Sequence, residues 1–188
     1  MPHREILIVE NNSDDLFFLK RALRTAGVGA NAQSVSDGQV AVRYLDGEGD
    51  YADRTRYPLP WLIFLDLKLP YRSGIEVLEH IRGTPHLQKI NVVVVTSSED
   101  DKDMRRTSEL GVNAYLLKPP TPYVLQRLFA SPQLAADTAP SAAAGTTPQF
   151  ARNPWRYLQD NPREVIWLYL AAGLGVLAVL FLILAAMQ

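Results

Sequence analysis

The first two-thirds of the chain alternate short unbroken apolar runs with stretches of helical periodicity. Five runs stand out: Ile6–Val9, a weaker Ala32–Val35, Trp61–Leu65, Val92–Val95 and Ala114–Leu117. Runs of this length, rich in Val, Ile and aromatics and lacking polar alternation, predict strands covered on both faces. Between them, Leu16, Leu19, Leu23 and Ala26 recur at helical spacing, with Gly27 placed to end the helix. Asp37 is a cap for a second helix through Ala41 and Leu45, stopped by Gly47, and Ile75, Leu78 and Ile81 mark a third that ends near Gly83. Ser98 is the expected N-cap of a fourth, where the acids of Glu99–Asp103 complement the helix dipole, and a fifth follows Pro122 through Leu125 and Leu128. This alternation predicts an α/β domain, a doubly wound parallel sheet of five strands with helices on both faces and right-handed crossovers.

The tail follows a different pattern. From Val165 to Gln188 no residue is charged, and a helix of roughly 20 apolar residues is long enough to cross a bilayer. Arg152, Arg156 and Arg163 flank the run on its N-terminal side, and Trp155, Tyr157, Trp167 and Tyr169 suit the headgroup layer. The expected organisation is therefore a folded domain over 1–130, a flexible Ala/Pro/Ser/Thr tether over 131–150, a juxtamembrane segment over 151–164 and a transmembrane helix over 165–187. The folded domain should face the cytoplasm, because positive flanks resist translocation and the N-terminal apolar run is too short for a signal peptide. Ala171 and Gly175 offer a small-residue spacing through which two anchors could pack into a homodimer.

Composition narrows the chemistry further. The 188 residues carry a net charge of -1, so no global field draws the chain to nucleic acid, and no basic recognition helix is visible. Cysteine is absent, which removes disulfides, thiolate metal sites and thiol nucleophiles. His3, His80 and His86 are dispersed without ligand spacing.

In a doubly wound sheet, ligands bind beyond the carboxyl ends of the strands, where strand order reverses. The strands here run out into Glu10 and Asn11, into Asp66, into Thr96 and into Lys118 followed by Pro119. Each residue alone has an ordinary structural explanation as a cap, a turn or a solvated charge. Together they put two acids, a hydroxyl and an amine on one rim. Two carboxylates this close repel unless a cation intervenes, and oxygen donors on a partly solvated rim favour Mg²⁺. The set suits phosphoryl transfer to a carboxylate, with Asp66 as nucleophile and Lys118 balancing charge.

ILIVENN, LDLKLP, VVVVTSSED and AYLLKPP, with thirty residues from Asp66 to Thr96 and twenty-two from Thr96 to Lys118, resemble the receiver domain of two-component response regulators. The resemblance runs from about Arg4 to Ala130. In detail it is similar to single-domain receivers that partner bacterial phytochrome histidine kinases, and it implies a flavodoxin-like fold. It also implies that Asp66 accepts a phosphoryl group from a sensor histidine kinase. Glu10 and Asn11 then fall on the metal-binding acidic pair, and the carbonyl of Lys68 adds an oxygen. Thr96 and Lys118 contact the phosphoryl group, Tyr115 is the aromatic switch, and the Lys118–Pro119 bond is cis. Output is expected by contact with a downstream protein through the fourth helix, fifth strand and fifth helix.

Asn11 departs from the family, whose pair normally ends in aspartate. An amide oxygen can ligate Mg²⁺ but brings no charge, so affinity should fall. Asn11→Asp is expected to tighten Mg²⁺ binding, read by fluorescence titration. Asp14 and Asp15 are expected to face solvent or cap the first helix, and Arg54 and Arg56 to sit in a polar loop open to a kinase. Two other readings follow from the residues. One is a membrane-tethered adaptor that works without phosphorylation. The other is a phosphatase with an aspartate nucleophile, disfavoured because Lys68 stands where a second aspartate would act as acid.

Overall fold

The computed structural model describes residues 5–28, 32–131 and 134. Five strands, β1 (Ile6–Val9), β2 (Ala32–Val35), β3 (Leu62–Leu65), β4 (Asn91–Thr96) and β5 (Ala114–Leu117), form one parallel sheet in the order β2-β1-β3-β4-β5. The connecting helices are α1 (Ser13–Thr25), α2 (Gly38–Asp46), α3 (Gly74–Gly83), α4 (Asp101–Glu109) and α5 (Pro122–Phe129), with a 3-10 turn at Gly49–Ala52. The flavodoxin-like arrangement read from the sequence is the one observed.

Strand periodicity sorts the core into two layers. Leu7, Val9, Ile63, Leu65, Val92 and Val94 point to one face and pack against Ala41, Tyr44 and Leu45 of α2 and Val77, Leu78 and Ile81 of α3. Ile6, Ile8, Leu62, Phe64, Val93, Val95 and Leu116 point to the other and meet Leu19 and Leu23 of α1 and Leu125 of α5. Because β1 and β3 are neighbours while β2 lies beyond β1, strand order reverses between β1 and β3. The carboxyl ends of those two strands flank the crevice where such sheets take ligands.

Local signals set most helix ends. Asn12 caps α1 by accepting from the backbone N–H groups of Asp14 and Asp15, Asp37 caps α2, and Gly47 closes α2 in the left-handed conformation. Ser73 and Glu76 form a reciprocal capping box on α3.

Three expectations are corrected. Asp100, not Ser98, caps α4: the Asp100 carboxylate accepts the Lys102 N–H at 2.8 Å, while the Ser98 hydroxyl oxygen accepts the N–H of Asp100 itself, one step before the helix. Arg54 is not a free loop charge. Its guanidinium donates to the carbonyls of Tyr44, Leu45 and Tyr57, closing the C-terminus of α2 onto the long loop that precedes β3. The packed body also extends past 130: Leu134 is buried in the second core layer, and its N–H donates to the Ser131 carbonyl. A single leucine among small residues supplies the burial that the surrounding composition lacks.

Among the described residues no helix is long and apolar enough to cross a membrane. The expected juxtamembrane segment, the span over 165–187 and nearly all of the tether lie outside the described residues, as does His3.

Candidate functional site

The sheet ladder itself positions the rim. The N–H of Glu10 donates to Val35 O at 3.0 Å, that of Asp66 to Val9 O at 3.0 Å and that of Lys118 to Thr96 O at 3.1 Å, so each residue is held one step beyond its strand. The Lys118–Pro119 bond is cis, as the resemblance implies.

Lys118 is the centre of the cluster. Its Nζ lies 2.6 Å from Glu10 Oε2, 2.6 Å from Asp66 Oδ2 and 3.0 Å from Asp15 Oδ2. The side chains of Lys118, Glu10 and Asp66 are 8%, 4% and 6% exposed, so these charges have exchanged water for one another. Burial pushes the Glu10 carboxyl above its ordinary value, partly opposed by hydrogen bonds from Lys118 and from the Asn12 N–H. For Lys118, burial works against the charge, but hydrogen bonds to Asp66, Glu10 and Asp15 outweigh it and hold the ammonium above its usual value. Asp66 also accepts the Lys68 N–H at 3.2 Å.

The rest of the predicted set is close by in the fold. Thr96 ends β4, next to β3, is fully buried, and its hydroxyl accepts the Ser98 N–H at 3.3 Å. Asn11 follows Glu10 at the exposed mouth of the crevice, and Lys68 is exposed two residues beyond Asp66.

Glu10, Asp66 and Asp15 against Lys118 leave a surplus of two negative charges (three carboxylates, one ammonium). A donor set of carboxylate, amide and carbonyl oxygens with that surplus fits Mg²⁺ or Mn²⁺ and excludes a soft metal. Among the described residues no group of three His, Asp or Glu side chains is arranged to hold a metal ion. Two carboxylates completed by neutral oxygens are what the rim provides.

The family model for the response regulator receiver domain matches residues 6–130. The chain belongs to the response regulator receiver family. The response regulator Rcp1 of Synechocystis sp. is 38% identical over 117 residues, covering 62% of this chain and 78% of Rcp1. A crystal structure of the Mn²⁺-bound form of Rcp1 superposes with a TM-score of 0.59 at 32% identity, covering 74% of this chain and 99% of that one. The phosphorylated cyanobacterial phytochrome response regulator RcpA gives 0.61 at 34% identity, covering 75% and 99%. Receiver domains are in general signalling phosphoacceptors and not catalytic units, which weighs against the phosphatase reading.

Two residues in this receiver escaped the sequence reading. Asp15, expected to face solvent or cap α1, reaches Lys118 with its carboxylate. Ser98 links three elements: its N–H goes to Thr96, its hydroxyl donates to Asp103 of α4 at 2.7 Å, and its carbonyl accepts the Tyr115 hydroxyl at 2.9 Å. The Asp15–Lys118 and Ser98–Tyr115 contacts join residues distant in sequence, which local pattern does not reveal.

Tyr115 is half-buried, with its ring packed against the first core layer. Burial pushes its hydroxyl up to about 12, and Tyr44, buried with its hydroxyl donating to Pro58 O, is likewise pushed to about 12. A tyrosine kept neutral in the fold but ionising near 10 when unfolded contributes stability that is fully present below about pH 10 and lost as pH rises to about 12. Tyrosinate absorbance should therefore show these two groups titrating late, and Tyr115→Phe should flatten the alkaline fall in denaturation midpoint. An unchanged fall in Tyr115→Phe would contradict this assignment.

Proposed function

We propose that this receiver accepts a phosphoryl group on Asp66 from a phosphohistidine of a sensor histidine kinase and signals by phosphorylation-dependent protein contact. The observation that carries the reading is the shared ammonium: Lys118 sits 2.6 Å from both Glu10 and Asp66 at the crevice where strand order reverses. The phosphorylated state of RcpA and the Mn²⁺-bound state of Rcp1 lend it support.

In the transfer, a carboxylate oxygen of Asp66 attacks phosphorus, the P–O bond forms, and the P–N bond breaks with its electron pair left on the imidazole. Lys118 leaves Asp66 to pair with a phosphoryl oxygen, and the Thr96 hydroxyl turns from the Ser98 N–H to donate to another. Glu10, Asn11, Asp66 and the carbonyl of Lys68 would hold Mg²⁺, which when bound neutralises charge on the transferring group. Once Thr96 moves, Ser98 carries the change to Tyr115 and to α4. The kinase is proposed to be of the phytochrome type, on the likeness to RcpA.

The charge-free run over 165–187 supports a second component, a membrane anchor that keeps the receiver on the cytoplasmic side and raises its effective concentration toward membrane partners. The alternative, a tethered adaptor indifferent to phosphorylation, is favoured only by the neutral Asn11.

Incubation of the full chain with a small phosphodonor and Mg²⁺ separates the two. A stable gain of one phosphoryl group, lost in Asp66→Asn, is the expected result, and no gain supports the adaptor. Retention in the membrane pellet after alkaline carbonate washing tests the anchor.

A further inference from the structure

Lys118 is shared by three carboxylates, and only two of them belong to the metal and phosphoryl set. The third, Asp15, comes from the first turn of α1, 103 residues away in sequence. Its side chain is 34% exposed, against 4% for Glu10 and 6% for Asp66. Its backbone N–H is fixed by Asn12 Oδ1 at 3.1 Å, so the α1 cap sets where the carboxylate hangs. An acid in a helix's first turn favours the dipole from solvent and has no need to reach the end of β5.

The geometry creates a conflict on metal entry. A divalent cation that takes Glu10 Oε2 and Asp66 Oδ2 displaces the Lys118 ammonium, now 2.6 Å from each, because the two positive charges would otherwise be in near contact. The ammonium must move either into water or onto a partner outside the ligand set. Asp15 is such a partner: already in contact with Lys118, at the rim, and outside the Glu10, Asn11, Asp66 and Lys68 set proposed to hold the metal.

We propose that Asp15 is a positioning residue that retains Lys118 when a divalent cation takes over Glu10 and Asp66. It thereby keeps the ammonium at the rim for the phosphoryl group and replaces locally the charge that Asn11 does not supply. The inference rests on reading this rim as a metal-dependent phosphoacceptor site.

A double-mutant cycle on the full chain in neutral detergent tests it, with Mn²⁺ affinity read from the paramagnetic resonance signal of the free ion. Asp15→Asn is nearly isosteric and leaves the Asn12 cap intact, and circular dichroism confirms its fold. In the presence of Lys118 it should weaken Mn²⁺ binding roughly tenfold, the scale of one charge interaction in a partly solvated site. In a Lys118→Met background the same change should weaken binding less than about twofold, since coupled residues are not additive. No loss in the first background, or an equal loss in both, overturns the proposal. A second readout does not need Lys118→Met: with Mg²⁺ bound, the Lys118 ammonium protons should exchange slowly with water in the wild type and fast in Asp15→Asn. Equal exchange rates would overturn it as well. A wild type that binds no divalent ion and gains no phosphoryl group contradicts the phosphoacceptor reading itself. A wild type that does both but ignores Asp15 contradicts only this inference.

Discussion

Lys118→Met is expected to lower the stability of the metal-free protein by roughly 3–5 kcal/mol at neutral pH, the usual cost of stranding buried charge by deleting its partner. Glu10 and Asp66 would be left as adjacent carboxylates, each nearly buried, with repulsion where the ammonium now sits. The sign of the pH dependence is fixed by the same charges. Burial already raises the Glu10 pKa, and Lys118 is the first influence that lowers it, so its removal raises it further. A carboxyl raised in the folded state is favourable below its folded pKa and unfavourable above. The variant should therefore recover stability as the solution is acidified, and should recover it at neutral pH when Mg²⁺ is added. Urea denaturation with chelator, with Mg²⁺ and across mildly acidic pH checks each part. Phosphorylation by a small phosphodonor should slow by about 10²–10³-fold even with Mg²⁺ saturating, since one preorganised charge is missing from the transferring group. A variant as stable as the wild type in chelator would show that the three-carboxylate cluster is not maintained in solution.

Gly74→Ala is the second large effect. A Cβ at this first residue of α3 would lie 2.1 Å from the carbonyl oxygen of Asp66 and 2.8 Å from Leu67 Cα. The reason for glycine is the approach of the helix to the backbone that carries the nucleophile, not an unusual dihedral. The backbone cannot move aside without disturbing Asp66, whose N–H is bound to Val9 O, or the bond from Gly74 N–H to Leu67 O at 3.1 Å. Overpacking of this kind typically costs about 1–3 kcal/mol, and here it should also slow phosphorylation. Gly83→Ala, at the other end of α3, meets nothing within 4 Å and is the matched control, expected to be neutral or slightly stabilising. Equal behaviour of the two variants would contradict the packing argument.

The fold was legible because its determinants are local and repeated. Unbroken apolar runs marked β1, β3 and β4, and β2 was readable only through its place between two helices, since Gln33 and Ser34 are exposed at the sheet edge. Residues that end strands were readable as a site because a parallel sheet brings all carboxyl ends to one rim. What stayed hidden depends on side chains meeting across the fold. Asp15 reads as one more acid in a helix's first turn until the ladder beyond β4 aims Lys118 at it. Arg54 reads as a loop charge until the long connection before β3 folds back over α2. Ser98 carries the residue type of a cap, but its hydroxyl accepts from Asp100, the actual cap, and donates to the Asp103 side chain. Leu134 looks like part of a polar tether because composition averages over a single anchoring side chain.

The most direct measurement is to find where the phosphoryl group resides. After the full chain is incubated with a small phosphodonor and Mg²⁺, borohydride reduction converts an acyl phosphate to a stable alcohol that peptide mass spectrometry can place. One reduced side chain is expected, at Asp66, and it should disappear when Mg²⁺ is chelated. Reduction at Glu10, Asp14 or Asp15 instead, or none at any position, would contradict that expectation.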